Sequence, residues 1–235
     1  GVGPSLIEKA VAKGLNVIDC TCPLVTKVQE KARKMSEKGL LTIIIGDHNH
    51  PEVEGIKSWC NGDVKIIENE QEAKDFYTNK RVGIIVQTTQ TQENVEKIVE
   101  ILESKLDIEE FKNTRCNATQ QRQNAAQVLA KKVDVMLVIG GRNSSNTKKL
   151  AKVCQTVGAE VYHIETADEI KSYWFKPTYK VGITAGASTP DWIIKEVILK
   201  MDELNKDVNN PELDTQEEGE ITYESTFTDV EEDTV

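Results

Sequence analysis

Two cysteines, Cys22 and Cys116, lie 94 positions apart, and each stands just before a run of helical period. At the same separation are two loops that follow β-branched runs. One reads Gly46-Asp47-His48-Asn49-His50-Pro51-Glu52 and the other Gly140-Gly141-Arg142-Asn143-Ser144-Ser145-Asn146. A third pair is Gly83-Ile84-Ile85-Val86-Gln87-Thr88-Thr89 and Gly182-Ile183-Thr184-Ala185-Gly186-Ala187-Ser188, each an apolar strand ending in small polar residues. Thiolates bind zinc or iron–sulfur clusters. An imidazole and a carboxylate two residues apart, as His50 and Glu52 are, can handle protons. Hydroxyls and amides ahead of a helix suit an oxyanion or a phosphate, although Ser and Asn in such places also serve as ordinary caps. Thr88, Thr89 and Ser188 add hydroxyl donors at the other strand ends.

A lone free cysteine is usually a small buried residue. Equivalent positions in two copies of one unit lower that expectation for Cys22 and Cys116, and suggest thiolates that meet near a pseudo-symmetry axis. Two thiolates do not close a metal site. His50 could join them around zinc, or a third equivalent cysteine could join them around an iron–sulfur cluster with one iron left open. Cys20-Thr21-Cys22 lacks the Cys-x-x-Cys spacing, so Cys20 reads as a neighbour and not a ligand. Cys60 and Cys154 read as core residues without counterparts.

Short β-branched runs alternating with helical periodicity predict an α/β fold: pseudo-symmetric repeated units with parallel sheets and crossover helices. Expected strands are Val17-Ile18, Thr42 to Ile45, Val64 to Ile67, Arg81 to Val86, Val133 to Ile139, Glu160 to Ile164 and Lys180 to Ile183. Expected helices are Val25 to Lys38, Gln92 to Lys105, Gln120 to Lys131, Asn146 to Val157 and Asp191 to Asn205, bounded by Pro23, Gly39, Gly158 and Pro190. Loops at strand ends are where open α/β sheets bind ligands. Residues 1–21 read as the remnant of a preceding α/β unit, 22–114 and 115–205 as two further units, and 206–235 as an acidic disordered tail or linker.

The formal charge of −10 comes from that tail, which from Asp207 onward holds eleven of the 39 acids and none of the 29 lysines and arginines. The body is close to neutral, which argues against nucleic acid as its partner. No apolar run reaches the roughly 18 to 20 residues of a membrane span. Five cysteines without secretory features suggest a reducing cytoplasm.

The ordered series Thr21-Cys22-Pro23-Leu24-Val25-Thr26-Lys27-Val28, His50-Pro51-Glu52-Val53-Glu54-Gly55, Gln87-Thr88-Thr89, Ala118-Thr119-Gln120-Gln121-Arg122-Gln123, Asn143-Ser144-Ser145-Asn146 and Thr184-Ala185-Gly186-Ala187-Ser188 resembles the motifs of the IspH/LytB reductase family. The resemblance runs from Gly1 to about Leu204. It implies a trefoil of three α/β domains, two of them here, around a [4Fe-4S] cluster held by one cysteine per domain. It also implies reductive dehydroxylation of (E)-4-hydroxy-3-methylbut-2-enyl diphosphate to isopentenyl and dimethylallyl diphosphate, with reduced ferredoxin or flavodoxin as the electron donor. By motif match Cys22 and Cys116 would be cluster ligands, and Glu52 would deliver protons with Thr88 ordering the relay. His50, Thr88, Ser144, Ser145, Asn146 and Ser188 would bind the substrate. The family's first cysteine and two further histidines belong to a unit not present in this sequence, and Asp47-His48-Asn49 departs from its usual Gly-His-x-Gly-His lead-in. Some members continue past an acidic linker into S1-type RNA-binding repeats.

Overall fold

The computed structural model describes residues 1–208 and 223–225, and it divides into two compact units, Gly1–Gln120 and Gln121–Val235. Each unit carries a four-stranded sheet whose strands all run parallel.

In the first unit the chain passes through α1 (Pro4–Ala12), α2 (Pro23–Glu37), β1 (Leu41–Ile45), α3 (Pro51–Lys57), β2 (Val64–Ile67), α4 (Glu70–Asp75), β3 (Val82–Val86), α5 (Gln92–Glu103) and β4 (Ile108–Lys112). The strand order is β2-β1-β3-β4. Ile43, Ile45, Ile84 and Val86 enter one apolar cluster with Val95, Ile98 and Leu102 of α5. Ile44 and Ile85, which point the other way, enter a second with Val28, Ala32 and Met35 of α2 and Val53 and Ile56 of α3. Strands buried on both faces read as continuous apolar runs, which is why β1 and β3 are plain in the sequence. Helix α2 starts with Pro23 at its first turn and buries Val28, Ala32 and Met35 at helical spacing. It stops at Gly39, whose φ of 75° allows the chain to turn directly into β1.

The second unit repeats the plan with α6 (Asn117–Ala130, which begins before the division), β5 (Val135–Ile139), α7 (Ser145–Gln155), β6 (Glu160–Ile164), a 3-10 turn at Ala167–Glu169, β7 (Val181–Ala185), α8 (Asp191–Val208) and β8 (Tyr223–Ser225). The order β6-β5-β7-β8 matches the first sheet strand for strand. Leu137 and Ile139 pack with Ile194, Val197 and Met201 of α8, while Met136 and Val138 pack with Leu129 of α6 and Leu150 of α7. The expected α/β repeat is therefore present.

Several expected elements differ. Val17-Ile18 is not a strand. It lies outside every helix and strand, and Ile18 is 81% exposed. Strand β4, with Glu109, Glu110 and Lys112 on an edge, was not read from the sequence, nor were the short helices α3 and α4. The expectation of a disordered acidic tail lies for the most part outside the described residues. Within that segment Val208 completes α8, and Tyr223–Ser225 pairs in parallel with β7. No helix among the described residues is long and apolar enough to cross a membrane.

Candidate functional site

In both sheets the chain leaves the two central strands into the polar loops singled out above. A strand order of this kind has its switch point between β1 and β3, and again between β5 and β7, where successive connections depart in opposite directions and a crevice opens at the carboxyl ends.

In the first unit the loop after β1 ends at His50, the N-cap of α3. The His50 Nδ1 accepts the Glu52 N–H at 3.1 Å. A neutral ring that accepts at Nδ1 carries its hydrogen on Nε2, so His50 keeps one N–H donor for a ligand. Asn49 just before it has φ 59°, a left-handed conformation that Asn tolerates better than most residues.

Glu52 is gripped by one residue. Its Oε1 accepts the Thr88 N–H at 2.8 Å, and its Oε2 accepts the Thr88 Oγ1–H at 2.8 Å. Thr88 follows β3 and is 7% exposed. The Thr88 carbonyl in turn accepts the Cys116 N–H at 2.8 Å. Expected proton donor, relay hydroxyl and one candidate ligand are thereby joined in one hydrogen-bonded chain. Gln87 beside Thr88 holds the other loop: its Oε1 accepts the Asp47 N–H at 2.8 Å.

Cys22 is exposed and is the N-cap of α2, with no side-chain capping bond, and Cys116 is half-buried immediately before α6. Their carbonyls accept the N–H groups of Thr26 and Gln120, four residues on. Both cysteines are free, so each suits a metal by chemistry and by placement. The set is incomplete, because among the described residues no three His, Cys, Asp or Glu side chains gather to hold a metal ion, and His50 does not complete a zinc site with them.

Cys60 and Cys154 were expected to lack counterparts, yet they too are 94 positions apart. Both thiols are directed at helix carbonyls, of Ile56 at 3.8 Å and Ala126 at 3.7 Å. Burial pushes them up to about 11 and about 12. They are paired core residues, inert as nucleophiles or ligands.

In the second unit the loop after β5 leads into α7. Gly140 opens it with φ 145°, and a Cβ there would stand 2.8 Å from the hydroxyl oxygens of both Thr147 and Thr189. Ser144 caps α7 by accepting the Thr147 N–H at 3.3 Å. Ser145 accepts from the Lys149 ammonium at 2.8 Å. Lys149 was missed from the sequence, although a lysine four residues after a first-turn serine lies on the same helix face. Asn146 is 8% exposed, and neither its Oδ1 nor its Nδ2 has a partner. A buried amide with both ends unpaired costs stability and points to a ligand not present. Ser188 is exposed in the loop after β7. Beside it Thr189 donates to the Ile139 carbonyl at 3.0 Å, and Arg122 donates to the Ala185 carbonyl at 3.3 Å.

The sequence matches the family model described as LytB protein over residues 1–202. It is 47% identical over 206 residues to 4-hydroxy-3-methylbut-2-enyl diphosphate reductase of Geobacter metallireducens, covering 87% of this chain and 73% of that one. A solved structure of (E)-4-hydroxy-3-methyl-but-2-enyl diphosphate reductase, the terminal enzyme of the non-mevalonate pathway, is 40% identical with a TM-score of 0.57, covering 86% of this chain and 73% of its own. The structure of the Plasmodium falciparum reductase superposes with a TM-score of 0.82 at 28% identity, over 96% of this chain and 69% of the other. Motif order, repeated fold and these likenesses lead to one assignment: the chain belongs to the LytB family.

Proposed function

We propose that this chain performs the reaction for which its relatives are named, the reduction of 4-hydroxy-3-methylbut-2-enyl diphosphate. The substrate's allylic C–O bond breaks, two electrons and two protons are taken up, and the oxygen leaves as water. One proton goes to the departing hydroxyl and one to the allylic carbon skeleton, whose two ends give isopentenyl and dimethylallyl diphosphate. The observation that carries this reading is the chain from Glu52 through Thr88 to Cys116, which ties a carboxyl group to the backbone of a cysteine.

Glu52 is the group that protonates the leaving hydroxyl. Both its oxygens accept hydrogen bonds from Thr88, an arrangement suited to the carboxylate. When Glu52 takes up a proton the Thr88 hydroxyl rotates and accepts from it, because a hydroxyl can serve in either role. His50 offers its Nε2–H to a phosphate oxygen. In the second unit Ser144, Ser145 and Asn146 do the same at the start of α7, where the helix dipole adds to neutral donors, and Ser188 contributes a hydroxyl. The unpartnered Asn146 amide supports that role. Cys22 and Cys116, with a third cysteine, would hold a [4Fe-4S] cluster that supplies the electrons when bound. A small one-electron carrier of the ferredoxin or flavodoxin kind, in the cytoplasm, would be the source of those electrons.

Units 22–114 and 115–205 are then two domains of the family's trefoil, with 1–21 the remnant of a preceding unit. The test is Glu52→Gln in reductase reconstituted anaerobically with iron and sulfide. Iron content should be unchanged while turnover falls by about 10² to 10⁴, the usual weight of general acid catalysis. Turnover near that of the unaltered enzyme would remove Glu52 from the reaction.

A further inference from the structure

The repeat contains a device that none of the expected site residues includes. In the first unit the loop after β1 carries His48, two residues before His50. Its backbone N–H donates to Glu68 Oε2 at 2.8 Å, and its ring Nε2 lies 2.9 Å from Glu72 Oε2. That same Glu72 oxygen accepts the Glu68 N–H at 3.0 Å, and the other accepts from Asn69 Nδ2 at 3.1 Å. Two glutamates four residues apart, at the end of β2 and on α4, thus hold one basic residue by both backbone and side chain.

In the second unit the loop after β5 carries Arg142, two residues before Ser144. Its N–H donates to Glu165 Oε1 at 2.6 Å, and its guanidinium meets Glu165 Oε2 at 3.3 Å. The guanidinium also forks onto both oxygens of Glu169, Nη1 to Oε1 at 3.3 Å and Nη2 to Oε2. Glu169 Oε1 accepts the Glu165 N–H at 3.0 Å. His48 and Arg142 keep the spacing of 94 that relates the two cysteines, and each glutamate of one pair lies 97 positions from its counterpart in the other. Three contacts recur in both copies: the loop N–H to the first glutamate, the basic side chain to the second, and the first glutamate's N–H to the second's carboxylate, with imidazole in one copy and guanidinium in the other.

We propose that Glu68 with Glu72, and Glu165 with Glu169, are positioning residues. Each pair clasps the basic side chain of its anion-binding loop and fixes the residue two places on as the N-cap of the next helix. Exposed ion pairs alone stabilise little. Here each pair also fastens the loop backbone through a charge-assisted N–H bond, which fixes the loop's path and not merely a side chain. The proposal rests on the reading of these loops as diphosphate-binding. It implies that diphosphate is held by neutral donors because the basic side chains of both loops are already held by glutamates.

The experiment uses the full chain, amide hydrogen exchange and calorimetry with inorganic pyrophosphate. Glu68→Ala and Glu165→Ala should each speed exchange at the His48 or Arg142 amide roughly ten- to a hundredfold in their own unit only, as loss of a hydrogen bond to a charged group does. Each should weaken pyrophosphate binding on the order of tenfold, as loss of a group that orients a ligand-binding side chain does. His48→Arg, which writes the second unit's side-chain clasp into the first, should keep the affinity, whereas His48→Ala, which removes the contact to Glu72, should lose it. A merely destabilising substitution would speed exchange across the whole unit and would not be rescued by arginine. Unchanged loop exchange and affinity in the glutamate variants would overturn the proposal, as would His48→Arg behaving like His48→Ala. Absence of pyrophosphate binding in the unaltered chain would count against the diphosphate reading, and the exchange measurements would still decide the clasp.

Discussion

Glu52 takes both of its hydrogen bonds from one residue, so a change at Thr88 alters carboxylate and relay together. The cysteines separate as sharply. Cys20 and Cys22 are exposed, while Cys60 and Cys154 are held as neutral thiols by burial. Iodoacetamide at pH 8 should therefore label Cys20 and Cys22 first and leave Cys60 and Cys154 unmodified until the protein unfolds, since only the thiolate reacts. Peptide mass mapping checks this, and Cys154 reacting as fast as Cys22 in the folded chain would contradict it. In sequence the four cysteines at the 94-residue spacing look alike. What distinguishes the ligand candidates is the helix start and polar loop around Cys22 and Cys116, where Cys60 and Cys154 have only core neighbours.

At the scale of elements, α7 carries a cost that the proposed diphosphate site would account for. Asn146 lies in the first turn, buried, with both amide atoms unpaired. Asn146→Ala should weaken pyrophosphate binding by about tenfold or more while leaving the melting temperature unchanged or raised, because it removes the cost of an unpaired buried amide, about 1 to 3 kcal/mol. Calorimetry and thermal unfolding measure the two effects, and a clear fall in melting temperature would show that Asn146 has a structural partner. The central strands β1, β3, β5 and β7 were legible because burial on both faces demands unbroken apolar runs. Strand β4 was not, because an edge strand such as Ile108-Glu109-Glu110-Phe111-Lys112 needs one ladder and no buried face. The loops drew notice in the sequence through their Ser, Asn and His content. Their clasps were not, because Glu68 is twenty residues from His48 in the chain and only the pairing of β1 with β2 brings them together.

For the whole molecule, surface carboxylates set the response to acid. Arg142 beside Glu169 holds its carboxyl below the usual carboxylate range, and Lys38 does the same for Glu110. A carboxyl with a depressed folded pKa adds stability above its unfolded value, about pH 4.3 for glutamate. That contribution is lost as the pH falls through the folded value. The urea midpoint should thus hold from pH 7 to about 5 and drop below about pH 4.3. Arg142→Ala should make the drop shallower, and an equally steep drop in that variant would remove the pair from the acid response.

The all-parallel sheets also bear on how the chain reaches this state. Each strand in them finds its neighbour only after a helical crossover, so no hairpin can form early and pairing waits on contacts distant in sequence. Because the two sheets share one strand order and closely similar central strands, β1 can meet β7 nearly as readily as β3 while both are unpaired. The duplication that supplies two matched loops therefore also supplies a wrong partner, and refolding must discriminate between near-copies within a single chain.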